Sequence, residues 1–150
     1  MKKILLAAIV AIFAALPAPA QSNAPYTEGP VWDIILVRLK HGMHDAYFKS
    51  ISKTFKAVFD EAKKEGIIMD YKILYGQASS PDDFNVMSMV QLKNYAALDT
   101  YREKIDPIAR RIEGDAKKQT ETFTGRVEIR DILGYKLMRE VTLIDKDKKK

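Results

Sequence analysis

From Val31 to Leu39 the chain is apolar on both of its alternating sides. Val31, Ile35, Val37 and Leu39 lie on one, and Trp32, Ile34 and Leu36 on the other before Arg38 and Lys40. A period of two predicts a strand over 31–40, closed by the breaker His41-Gly42. From His44 to Glu65 the period changes: Phe48, Ile51, Phe55, Val58, Phe59 and Ala62 recur three and four apart, the stripe of one helix, and Gly66 stands where a C′ glycine would end it. A second strand is expected over 67–76, a loop at "QASSPDDF", and a third strand over 84–92. Asn94 can cap a second helix with the stripe Leu98, Tyr101, Ile105, Ile108, Ile112, in which Pro107 predicts a kink or split near Asp106. The last segment, 126–144, alternates again, with Gly134 marking a bulge, a bend or a break into two short strands.

The order is β-α-β-β-α-β, the split β-α-β arrangement of an α+β, ferredoxin-like fold: a four-stranded antiparallel sheet with both helices on one face and an extended last strand. The first strand adds a constraint. Whichever face the helices cover, the other is apolar too, and each large apolar side chain is worth about 1.5–3 kcal/mol on burial. Something must cover the second face, and a second copy of the chain is the simplest cover.

About 120 residues form this one domain, bounded at 31–144. Before it, residues 21–30 ("QSNAPYTEGP") read as an extended leader. Residues 1–20 carry two lysines, an apolar run from Ile4 to Leu16 and the small-x-small group Ala18-Pro19-Ala20, the pattern of a secretory signal peptide. Thirteen apolar residues span about 20 Å as a helix, too short for a hydrocarbon core of roughly 30 Å. The expected location is therefore exported, periplasmic or secreted, with no membrane span. With no cysteine there is neither a disulfide nor a lipidated cysteine.

The net charge of +5 changes this picture little. Lys2 and Lys3 belong to the signal, and the terminal "KDKKK" brings four lysines and one aspartate, leaving residues 21–145 with 19 charges of each sign. The domain is neutral and its basicity is a tail over 145–150. Without stacking aromatics among those cations, a nucleic-acid partner is not expected.

The element order, the glycine turn into the first helix ("KHGMHDAY"), the start of the second ("KNYAALDTY") and the long last strand ("VEIRDILGYKLMREV") resemble the dimeric α/β-barrel superfamily, including its small exported bacterial members of unestablished activity. In that superfamily two ferredoxin-like units press their open sheet faces together, so the resemblance implies a homodimer. It also implies a range of activities: cofactor-independent monooxygenases, haem binders and degraders, lactone isomerases and members without catalysis. The haem degraders take an axial histidine from the second helix, and residues 94–118 here contain none. No cofactor is expected.

The chemistry open to the chain is narrow. Absent cysteines remove thiol nucleophiles and zinc thiolates, and neither G-x-S-x-G nor a phosphate-cradling glycine loop is present. Both histidines sit in "HGMHDAY", 41–47, which has three readings. His41, His44 and Asp45 could ligate a metal, although the spacing lacks the ligand number a zinc site needs, and no metal is expected. Gly42 could make the turn, with Asp45 meeting the helix dipole. Or His44, four residues before Phe48, could look into a cleft between helix and sheet as a titratable imidazole. Arg38, Asp70, Glu128 and Arg130 fall within predicted strands, where an inward charge must pair with another or with a ligand.

The candidate ligand-facing residues are His44, Tyr47, Tyr71, Tyr75 and Arg38. The expected function is binding of a small apolar or aromatic molecule. The alternatives are a cofactor-independent monooxygenase or isomerase using His44 with a tyrosine, and a structural or interaction module without ligand.

Overall fold

In the computed structural model, which describes residues 24–145, the chain runs as β1 (Tyr26–Leu39), α1 (His44–Lys53), α2 (Phe55–Lys64), β2 (Asp70–Tyr75), β3 (Val86–Leu92), α3 (Ala97–Glu113), α4 (Ala116–Gly125) and β4 (Arg130–Leu143). The expected signal peptide at 1–20, the first three leader residues and residues 146–150 of the tail lie outside the described residues. The strands form one antiparallel sheet in the order β2-β3-β1-β4. This is the ferredoxin-like topology, with β1 as a central strand between β3 and the long β4.

Register sorts the side chains. Val31 lies opposite Leu92, Asp33 opposite Val90, Ile35 opposite Ser88 and Val37 opposite Val86. Val31, Val37, Val86 and Leu92 are at most 1% exposed, so this is the helix-covered face. The core on it has two parts. Val58 and Ala62 of α2 and Ile108 of α3 pack on Val90 and Leu92, whereas Tyr47 and Ile51 of α1 pack on Val37, Leu39 and Val86. Trp32, Ile34 and Leu36 look the other way, paired with Gln91, Met89 and Met87. No helix of the described residues is long and apolar enough to cross a membrane.

The structure departs from the sequence expectations in three places. The first helix is two, α1 and α2, separated at Thr54 (φ −112°, ψ −83°), whose hydroxyl donates to the Ser50 carbonyl at 3.2 Å and so competes with helix geometry. The second helix, α3, is continuous through Pro107 to Glu113, so of the kink or split expected there the split is excluded. A further helix, α4, was not expected because Phe123 is its only large apolar residue and no stripe exists to read; the Asp115 side chain caps it by accepting from the Lys118 amide at 2.9 Å. Finally, β1 begins at Tyr26, inside the segment read as leader, because Tyr26, Thr27 and Glu28 pair with Leu143, Thr142 and Val141. Gly29 and Pro30 are accommodated by a register shift between Glu28 and Val31.

Other local signals appear where expected. Gly66, at φ +70°, closes α2 as a Schellman motif: the Ile67 amide donates to the Ala62 carbonyl at 2.9 Å and the Gly66 amide to Lys63 at 3.1 Å. In β4 the register slips by one residue between Ile132 and Gly134, leaving Leu133 as the extra residue of a bulge.

Asp33 is an acid on the covered face. Desolvation pushes its carboxyl above the ordinary range, opposed by a hydrogen bond from the Ile34 amide. The native state therefore holds a proton that the unfolded chain releases, so Asp33 stabilises the fold below the ordinary carboxylate pKa and this contribution fades as pH rises through the raised value. Asp33→Asn should melt higher than the parent at pH 7, with the gap closing at about pH 4 and below. A lower Tm at neutral pH would show that the charged carboxylate is needed.

Candidate functional site

Two clefts lie at the ends of α1, and the sequence candidates divide between them. The first, about 390 Å³, opens where β1 turns into α1 and is lined by Leu39, Lys40, His41, Gly42, His44, Tyr75 and Asn85. Gly42 makes the turn at φ +74°, a conformation costly for any residue with a Cβ. The His44 ring stacks on Tyr75, with centroids 6.5 Å apart and planes at 16°, and Phe48 meets the same tyrosine edge-on at 5.3 Å. His44 Nε2 lies 3.3 Å from the Asp45 carboxylate. Both rings of the stack are more than half exposed, His44 at 51% and Tyr75 at 57%. Among the described residues no group of three histidine or acidic side chains could hold a metal ion.

The second cleft, about 190 Å³, lies between helices and sheet, where the two halves of the core meet. Its floor is Ile35, Val37 and Ser88, and its walls are Tyr47, Ile51 and Phe55. Phe123 and Arg126 from the end of α4 and Arg130 from β4 complete it. Ser88 explains why there is room. On β3 the covered side chains run Val86, Ser88, Val90, Leu92, and the small serine, 5% exposed, falls in the row of larger apolar groups.

The charges here are unusual. Arg130 lies over the rings of Tyr47 at 5.9 Å and Phe123 at 5.3 Å. Arg126 donates through Nη1 to the Thr54 hydroxyl at 3.1 Å. The Nε of each arginine is buried and meets no acceptor among the described residues. Burial, and then the neighbouring Arg130, hold the Arg126 guanidinium below its ordinary pKa, while Glu113 pulls the other way. Glu113 is itself pushed up by burial.

The five sequence candidates thus fall in different places. His44 and Tyr75 come together in the first cleft. Tyr47, 3% exposed, lines the second. Tyr71 faces the helices but is packed against Phe55 and Phe59, and its hydroxyl donates to Asp60 at 2.6 Å; desolvation first and Asp60 second push it up to about 12. Arg38 lies on the open face, bonded to Asp131 at 3.1 Å and to the Pro81 carbonyl at 2.6 Å. Of the other strand charges, Asp70 pairs with Lys63 at 2.7 Å, whereas Arg130 turns inward without a carboxylate. Sequence reasoning did not single out Ser88, Phe123 or Arg126. The one available signal was a serine centred in the apolar run "VMSMV".

No family model matches the chain, and no curated protein does. Solved structures are similar in arrangement. HapK from Hahella chejuensis has a TM-score of 0.48 at 12% identity, over 73% of this chain and 91% of its own. A NIPSNAP family protein of unknown function from Agrobacterium tumefaciens has a TM-score of 0.45 at 12% identity, over 77% and 90%. A dimeric protein of unknown function with a ferredoxin-like fold from Bacteroides fragilis has a TM-score of 0.40 at 10% identity, over 77% and 97%.

The stack in the first cleft is testable by a double-mutant cycle. His44→Ala and Tyr75→Ala should each cost little, with a coupling of about 0.5 kcal/mol in denaturant unfolding, the lower end for an aromatic pair because both rings are wet. His41→Ala should stay within about 0.5 kcal/mol of the parent. Zero coupling would make the stack an incidental contact.

Proposed function

We propose that this protein is an exported binding protein for a small apolar or aromatic molecule, held in the cleft between α1, α4 and the sheet. The observation that carries the reading is the gap over Ser88: about 190 Å³ walled by Tyr47, Ile51, Phe55 and Phe123. An apolar cavity of roughly 150 Å³ suffices to hold benzene, so this space accommodates a compact ring system. Export rests on the basic, apolar and small-residue pattern of residues 1–20.

The decisive variant is Ser88→Leu, which extends an apolar side chain into the gap. Calorimetric binding of naphthylmethanol, a neutral aromatic, should fall roughly tenfold or more, with Tm unchanged or raised because the leucine adds apolar burial. Undiminished binding in a folded variant would sink the reading.

The second part of the proposal is a homodimer through the open sheet face. Trp32, Leu36, Met87 and Met89 lie on that face, as do Leu74 and Met138, which are 55% and 54% exposed. Charges of both signs surround them: Lys72 and Lys136 against Asp70 and Asp131, with Glu140 accepting from the Trp32 indole at 3.1 Å. Such a face does not repel its own copy, and a two-fold arrangement lets the same patch serve both sides. Light scattering on the mature protein at micromolar concentration should return twice the chain mass. Trp32→Glu with Leu36→Glu should give monomer or unfolded chain, and a stable, folded monomeric parent would overturn the pairing.

A further inference from the structure

The cleft over Ser88 contains more cationic recognition than a neutral ligand needs. Two guanidinium groups, Arg126 and Arg130, share its rim, and they reach it from different elements, the end of α4 and the start of β4. Each has a buried Nε with no acceptor among the described residues. Among the described residues the one side-chain hydrogen bond either makes is neutral, from Arg126 to the Thr54 hydroxyl.

Nearby acids do not neutralise them. Asp131 belongs to the adjoining depression that Phe123 and Arg130 also line, but its carboxylate is bonded to Arg38 on the far face. Glu113 acts on Arg126 electrostatically without forming an ion pair with it. A pair of partly buried, mutually repelling cations with no ion-paired carboxylate among the described residues is favoured by a ligand that supplies the charge.

The rest of the cleft limits what that can be. Arg130 lies over the rings of both Tyr47 and Phe123, contacts that restrain its guanidinium at the cleft. Ile35, Val37, Ile51 and Phe55 offer no polar group for a long hydrophilic ligand. The space is too small for a polymer, and apart from the Ser88 and Tyr47 hydroxyls its lining beside the two arginines is apolar, so the anion is one end of a compact apolar body.

We infer that the ligand is an aromatic or branched apolar carboxylate, its ring over Ser88 and its carboxylate bridging Arg126 and Arg130. This rests on the binding function proposed above and names the class of molecule that function serves. The recognition is by charge-assisted hydrogen bonds from two forks, with the cavity setting the size of the apolar part. No covalent step is involved.

The test compares two probes that share a ring system, naphthoate and the neutral naphthylmethanol, by calorimetry on the mature protein. The parent should bind naphthoate roughly tenfold or more tighter. Arg126→Gln and Arg130→Gln should each remove most of that preference, read as the ratio of naphthoate to naphthylmethanol affinity in the same variant; an unchanged ratio in both would overturn the carboxylate assignment. Arg126→Lys and Arg130→Lys keep the charge without the fork and should retain part of the preference, which guards against a glutamine variant that fails to fold. Preference can also be read on the parent alone: added sodium chloride should weaken naphthoate and not naphthylmethanol. Equal affinity of the parent for both probes overturns the carboxylate assignment and leaves the apolar cleft standing. Binding of neither probe overturns the cleft itself.

Discussion

Strand β1 is apolar on both sides, and the architecture is a response to that single fact. As the central strand it pairs with β3 on one edge and along nearly its whole length with β4 on the other, which satisfies its backbone donors and acceptors. Val31, Val37 and Leu39 then draw the helices onto one face, where they become fully buried. Trp32, Ile34 and Leu36 are left on the opposite face. Ile34 is already buried within the chain at 5% exposure, but Trp32 and Leu36 remain partly exposed there, and each large apolar side chain is worth about 1.5–3 kcal/mol on full burial. The same strand therefore organises the interior and supplies the apolar face on which the proposed pairing rests.

The cleft over Ser88 is a consequence of how that interior is divided. Helices α2 and α3 close over Val90 and Leu92, and α1 closes over Val37 and Val86. The break at Thr54 lets α1 and α2 take separate paths, so the sheet between them is not sealed. Into that gap come the end of α4 and the first residue of β4, bringing Arg126 and Arg130. Thr54 joins both features, since its hydroxyl donates to Ser50 at the helix break and accepts from Arg126 at the cleft. A local departure from helical geometry thus helps to hold a cation at a site some 70 residues further along the chain.

The histidine-bearing turn is less closely built. Gly42 turns the chain, Asp45 stands in the first turn of α1, and His44 rests on Tyr75 at the surface. These contacts account for the residues without invoking chemistry. The deeper cleft has the features the turn lacks: burial, a largely apolar lining and two guanidinium groups with no ion-paired carboxylate among the described residues.

What the sequence determined by itself follows from local periodicity. Strands at 31–39 and 86–92, the two main helical stripes, the turns at Gly42 and Gly66, the irregularity beside Gly134 and the two-sided apolarity of β1 were all legible, because each is set by residues within a few positions of one another. Hence the ferredoxin-like order could be read directly, and so could the need to settle the charges placed within strands. Which way those charges point could not. Arg38 and Arg130 look equivalent in sequence, yet one lies on the open face with Asp131 and the other turns inward over Tyr47. Arg38 follows the alternation of β1, whereas the face Arg130 takes depends on the bulge at Leu133, since a single extra residue exchanges the two faces of β4 on either side of it. Helix α4 was equally invisible, having no apolar stripe, and with it the arrival of Arg126. The candidate site is made where a helix break, a polar helix and a strand bulge coincide, and only the tertiary structure brings those three together.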